Sequence, residues 1–162
     1  MELIATPLTA TAFAPYGDVL AAPADPGRLY FPDALGNGRP SAALSLSLSR
    51  LTPTALPLRS ALLERHAFSS QTFLPLSVSR YLVIVAPPAP DGGPDASAAR
   101  AFVATAGQGI TYRAGTWHHG MTVLDRGAEF AVVMWRDGTA ADEEFVTLPG
   151  ELVIAVPQGP TS

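Results

Sequence analysis

Three histidines occur in this 162-residue chain, and their placement is the first sign of chemistry. His118 and His119 are adjacent in "GITYRAGTWHHGM" (109–121), just past a glycine turn between two runs that read as strands. His66 closes the run "LRSALLERH" (58–66). Alternate side chains of a strand share a face, so Glu64 and His66 point together with Leu58 and Leu62, while Arg59, Leu63 and Arg65 point the other way. A carboxylate and an imidazole on a leucine-bearing face are expensive to bury unless each has a partner. Near neutral pH they suit proton transfer or the binding of a divalent metal. Parity is equally satisfied if Glu64 is a rim residue paired with Arg65 or Arg59 and His66 caps a turn. In "WHH", alternation sends one imidazole inward and the other outward. At most one of them joins His66, unless a bulge re-aims the chain.

Composition removes other chemistries. The sequence has no lysine and no cysteine, which excludes a lysine Schiff base, a thiolate nucleophile, disulfides and zinc–thiolate clusters. Acid–base, electrostatic and metal-assisted reactions remain. The formal net charge is −4 and the ten basic residues are all arginines scattered singly, so no nucleic-acid partner is expected. Glu2 stands where a secretory signal would carry positive charge, and no apolar run reaches the roughly 18 residues of a membrane span. The expectation is a cytoplasmic protein with no membrane partner.

The elements that must position these residues are strands. "ALSLSLSR" (43–50) alternates strictly, with Leu44, Leu46 and Leu48 on one face and serines on the other, and it predicts a half-buried strand. Further runs at 58–66, 71–76, 81–86, 101–105, 109–113, 118–124, 129–136, 143–148 and 151–156 predict an all-β sandwich or barrel. "TATAFAPYGD" predicts one short helix closed by Pro15 and Gly17, and "PPAPDGGPD" (87–95) a surface loop. The length fits one domain over residues 1–162.

The motifs add a family resemblance. "YRAGTWHH" resembles the second cupin motif, with Arg113 at the usual proline position. "ERHAFSSQTFLPL" resembles the first, with Glu64 and His66 at its two histidine positions and Gln71 where its glutamate stands. Together "FAPYGDVL" (13–20), "LLERHAFSSQTFLPL" (62–76), "RAFVATAGQGITYRAGTWHHG" (100–120) and "VVMWRDGTAADEEF" (132–145) resemble the ureidoglycolate lyase family.

That resemblance implies a cupin-type double-stranded β-barrel (jelly-roll) with a short N-terminal helix. It implies a homodimer that cleaves the small molecule ureidoglycolate to glyoxylate and urea in allantoin and purine nitrogen catabolism. It makes Glu64, His66 and His118 the expected catalytic residues and the expected ligands of a metal. Tyr112, Arg113, Gln71, His119 and Arg136 become the expected substrate-binding residues, with Arg113 and Arg136 competing to hold the substrate carboxylate. With an amide at position 71 the expected metal is a weakly bound nickel or manganese, the alternative being no metal and His118 as general base. Phe73, Trp117 and Trp135 are expected in core or dimer packing. Two departures stand out: segment 27–41 is short and rich in proline and glycine, and Gly120 follows the histidine pair where the family usually has proline. A non-catalytic or differently specific small-molecule-binding cupin is the alternative reading, and a structural dimer module a third.

Overall fold

The computed structural model describes residues 1–157; the last five residues of the expected 1–162 domain lie outside the described residues. The chain begins with two very short strands, β1 (Glu2–Ile4) and β2 (Thr6–Pro7), then helix α1 (Ala10–Phe13) and β3 (Gly17–Leu20). Long strands follow: β4 (Ala43–Leu51), β5 (Leu58–Arg65), β6 (Gln71–Ser77), β7 (Arg80–Ala86) and β8 (Arg100–Thr105). The second half holds β9 (Gly109–Tyr112), β10 (Trp117–His118), β11 (Thr122–Leu124), β12 (Ala128–Arg136) and β13 (Glu144–Ala155). The fold is all-β, as the alternating runs predict. The helix is one turn long: Thr9 Oγ1 accepts from Ala12 N at 3.2 Å to start it, and Pro15 has no N–H to extend it. Among the described residues no helix is long and apolar enough to cross a membrane.

The strands form two sheets, ordered β1-β13-β5-β10-β7-β8-β2 and β3-β9-β6-β12-β4. The first is clasped into a barrel-like ring by residues 2–7. β1 pairs in parallel with β13 at one edge, and β2 pairs in parallel with β8 at the other. Only Ala5, itself buried, separates the two. β10 and β11 are consecutive pieces of one strand along β7. His118 opposes Val85 while Thr122 opposes Leu82, so four steps on one side match three on the other. This is a one-residue bulge at His119–Met121.

Two apolar interiors result. One fills the ring, with Leu63, Leu82, Ile84, Trp117, Leu152 and Ile154 at its centre. The other lies between the ring and the second sheet, where Phe13, Phe73, Tyr81, Phe102, Tyr112 and Phe130 pack around Val83 and Val85. Its aromatic pairs are mostly edge-on, for example Tyr81–Phe130 at 5.3 Å and 80°. The second sheet fits tightly where β3 crosses β9: a Cβ on Gly17 would lie 1.8 Å from the Thr111 carbonyl oxygen.

The two faces of β4 divide as the alternation predicts, but the apolar one is the outer one. On β4 the leucines look outward, with Leu44, Leu46 and Leu48 exposed by 61, 69 and 74%. The serines turn inward, opposite Phe130, Val132 and Met134 of β12. Those large neighbours already fill the interior, so small side chains fit beneath them. Leu74 and Leu76 of β6 are also exposed, and Leu74 shares the register of Leu48 through Ala131. The outer face of the second sheet is therefore a broad apolar surface.

Candidate active site

β10 lies between β5 and β7, and its His118 is in direct register with Glu64 of β5. This register places the two side chains together, with Glu64 Oε1 3.3 Å from His118 Nε2. His66 follows β5 at the turn into β6, and its ring centre is 5.6 Å from that of His118. Gln71 opens β6 opposite Tyr112 of β9 and Met134 of β12. Tyr112 lies flat on the His118 ring, with centres 4.0 Å apart and planes 16° apart. The turn after β9 completes the wall: Gly115, at φ +80°, adopts the left-handed conformation that favours glycine and donates its N–H to the His66 carbonyl at 2.8 Å.

The backbone around both imidazoles defines their protons. His66 Nδ1 is 2.8 Å from the Asp142 carbonyl oxygen, and His118 Nδ1 is 2.8 Å from the Thr116 carbonyl oxygen. A carbonyl only accepts, so each Nδ1 carries the hydrogen and each Nε2 is left bare in the neutral ring. His66 Nε2 is buried without a hydrogen-bond partner. His118 Nε2 faces two oxygens, Gln71 Oε1 at 3.1 Å and Glu64 Oε1 at 3.3 Å. A proton on Nε2, a Gln71 amide turned to present its NH2, or a cation would each satisfy that arrangement.

One ligand atom from each of Glu64, His66 and His118 lies within 4.8 Å of the others. With both Nδ1 atoms anchored on carbonyls, this is the outer-shell pattern that orients metal-ligating imidazoles. The orphaned Nε2 of His66 is an independent sign that the donor set fits a divalent ion.

Electrostatics favour the ionised form of Glu64. Burial on its own would raise the Glu64 carboxyl, but the hydrogen bond and charge of His118, with His66 and His119 behind it, hold it below the usual carboxylate range. Burial lowers His66, only partly countered by its bond to the Asp142 carbonyl, and burial likewise lowers His119. Tyr112 is pushed far up by burial, so its hydroxyl stays protonated.

Beside the cluster is a cavity of about 240 Å³ lined by Leu62, Leu63, Glu64, His119, Gly120 and Met121. The bulge brings His119 to this cavity as well, where its Nδ1 is 2.8 Å from the Gly120 carbonyl oxygen. Both members of the histidine pair thus adjoin Glu64. The alternative partners of Glu64 are engaged elsewhere, Arg65 with Glu144 and Arg59 with Glu151.

The expected arginines lie apart from this cavity. Arg113 donates to the Ala14 carbonyl at 2.6 Å and borders a different cleft beside Tyr16 and Pro87. Arg136 is half exposed, 3.6 Å from Asp142 and 3.8 Å from Glu143. Phe73 and Trp117 are core residues, in the inter-sheet and ring interiors respectively. Trp135 takes an outward position of β12 beside Leu44, its backbone N–H bound by Ser69 Oγ.

Sequence reasoning missed the groups that orient the imidazoles, namely Thr116 and Asp142 through their carbonyls and Arg39, which grips Asp142. Backbone carbonyls carry no residue-type signal. Arg39 lies about a hundred positions from its partner, in a segment without periodicity.

Comparison with known proteins identifies the family. The family model described as ureidoglycolate lyase matches residues 1–155. A ureidoglycolate lyase of Chelativorans sp. is 35% identical over 161 residues, covering 93% of this chain and 96% of its own. One from Burkholderia cepacia is 40% identical over 143 residues, covering 78% and 75%. One from Pseudomonas syringae is 33% identical over 159 residues, covering 89% of each. With a match across nearly the whole length, the chain belongs to the ureidoglycolate lyase family.

Proposed function

We propose that this chain is one ureidoglycolate lyase domain that cleaves ureidoglycolate to glyoxylate and urea at the Glu64–His66–His118 cluster. The family match over residues 1–155 carries the reaction. The two imidazoles that present bare Nε2 atoms beside one carboxylate support the residue assignment.

The substrate carries a hydroxyl, a carboxylate and a ureido nitrogen on one carbon, so cleavage is collapse of a hemiaminal. A base takes the hydroxyl proton, the carbonyl forms as the C–N bond breaks, and urea leaves with a proton on its nitrogen. His118 Nε2 is the base in this reading. Ionised Glu64 at 3.3 Å stabilises the imidazolium formed there, Thr116 fixes the ring, and Tyr112 covers its face. The same imidazolium then returns a proton to the departing urea nitrogen. Gln71 and His119 offer hydrogen bonds to the ureido and hydroxyl groups.

A substrate carboxylate entering beside Glu64 needs positive charge. Among the described residues that line the cavity there is no arginine, and burial keeps His119 neutral at neutral pH. The alternative to His118 as base is metal assistance: Glu64, His66 and His118 would hold a divalent first-row ion, which when bound supplies Lewis acidity toward the substrate oxygens, and His118 Nε2 would then be a ligand rather than the base. With Gln71 in place of a second carboxylate, the ion is weakly held.

The exposed leucines of β4 and β6 favour a homodimer, because a surface of this kind on a soluble protein marks an association face. The reading places the two second sheets face to face across a two-fold axis.

The deciding experiment is urea release from racemic ureidoglycolate by purified protein, with and without chelator. Release that is abolished by chelation and restored by nickel or manganese supports the metal-assisted reading. Release indifferent to chelator supports His118 acting alone, and no release in either condition overturns the proposed activity.

A further inference from the structure

Loop 137–143 is fastened to the site through a single buried carboxylate. Asp142 ends a short 3-10 turn, and its carbonyl oxygen meets His66 Nδ1 at 2.8 Å. Its carboxylate accepts the backbone N–H groups of Asp137 at 3.1 Å and Gly138 at 2.8 Å, which folds the loop back on itself. That carboxylate is almost fully buried. The Arg39 guanidinium bonds it directly and at the same time reaches Asp137 Oδ1 at 2.9 Å. The Arg39 hydrogen bond, helped by the two loop N–H groups, holds the Asp142 carboxyl down to about 2. Arg136, the other cation nearby, is half exposed and 3.6 Å away.

Arg39 arrives on a strap running beside the His66 turn. Gly38 N donates to the Phe68 carbonyl at 2.6 Å, Ser70 N donates to the Gly36 carbonyl at 3.0 Å, and the Arg39 guanidinium sits over the Phe68 ring at 5.6 Å. One side chain thus joins the strap, the His66 turn and the loop that supplies the imidazole's only hydrogen-bond acceptor among the described residues.

We propose that Arg39 is a positioning residue for the site: by clamping Asp142 and Asp137 it aims the Asp142 carbonyl at His66 Nδ1 and so keeps His66 Nε2 bare and directed at Glu64 and His118. This rests on the reading of His66 as a site residue. A neutral imidazole released from its acceptor favours the opposite tautomer, with hydrogen on Nε2. Loosening the clamp therefore covers the nitrogen that the site needs free. Arg39 is not among the residues that line the cavity, so its loss is expected to act on turnover and on metal affinity rather than on KM.

The test is imidazole nitrogen NMR on the full-length protein at a pH where the ring is neutral, which reads the tautomer without any activity. In the parent protein His66 is expected as a single Nδ1–H form. In Arg39→Gln it is expected to move largely to Nε2–H, with kcat and nickel affinity each lowered roughly 10–100-fold, the usual loss when an outer-shell partner is removed, and KM little changed. Arg39→Lys keeps one charge but loses the two-carboxylate fork, and is expected to fall between the two. If Arg39→Gln does not fold, Arg39→Lys and Asp142→Asn carry the test, because each weakens the clamp while leaving the Asp142 carbonyl in the chain. A His66 that stays in the Nδ1–H form in the variants that fold overturns the proposal. The tautomer decides it even if the parent protein releases no urea, so failure of the activity and failure of the clamp are separate results.

Discussion

The two interiors of this molecule meet at β7, where Leu82, Ile84 and Ala86 face the closed ring while Tyr81, Val83 and Val85 face the second sheet. The ring interior is aliphatic with one tryptophan, on which the Arg65 guanidinium stacks at 4.4 Å. The inter-sheet space is aromatic and admits Glu64, His66, His118 and Gln71 at one end. The same division runs through β5: Leu63 belongs to the ring, and the next residue, Glu64, to the site. A polar cluster is tolerated on one side because Tyr112 and two backbone carbonyls engage its rings, and because the other side supplies burial without polar demands. Single-residue steps along a strand thereby separate stability from chemistry.

That separation can be broken experimentally, beginning with the site. His118→Ala should slow urea release by about two to four orders of magnitude, the usual contribution of a positioned acid–base group, with little change in the denaturation midpoint. Retained turnover would remove the cluster from the mechanism. Leu152→Ala, in the ring interior and outside the cavity lining, should show the converse. Urea denaturation should report a loss of about 2–5 kcal/mol, as for a large core residue cut to alanine, while kcat/KM of the folded fraction stays near the parent value.

A third variant tests the outer face. Leu46→Glu should halve the mass measured by light scattering at micromolar concentration and leave the monomer folded. An unchanged mass would mean that the leucine face does not hold the dimer.

The smallest effect is on pH. His66 and His119 are lowered below 6.5 in the folded state by burial, so on acidification the unfolded chain takes up protons first. Their contribution to stability is complete above 6.5 and is lost as pH falls through the lower folded values. Asp142, held at about 2, adds a second loss below its ordinary 3.8. Denaturation midpoints should therefore decline between about pH 7 and 5, and His119→Asn should flatten part of that slope. A flat profile over this range would mean that neither imidazole is buried in solution.

Much of this organisation is legible in alternation. The period-two runs locate β4 through β13, and parity puts Glu64 and His66 on one face. Alternation cannot say which face is interior, and on β4 the apolar face is the outer one, because the partners that fill the space beneath Ser45, Ser47 and Ser49 belong to β12, some eighty residues on. β1, β2 and β3 are too short to alternate; they exist because their partners offer free edges. The bulge at His119–Met121 has no signature beyond Gly120, yet it decides where His119 points. Residue types and spacing name the atoms that could react, while the clamp and carbonyls that aim them depend on contacts distant in sequence.

Closure of the ring also sets an order of events in folding. Glu2, Leu3 and Ile4 pair with Val153, Ile154 and Ala155, so β1 cannot pair with β13 until all the residues between them exist. Pairing this distant is associated with slow folding. On the ribosome β1 must wait, unpaired with β13, until all the residues between Ile4 and Val153 have been made. Trimming residues 153–155 would then undo two strands at once, since β13 is the strand that holds β1 in place.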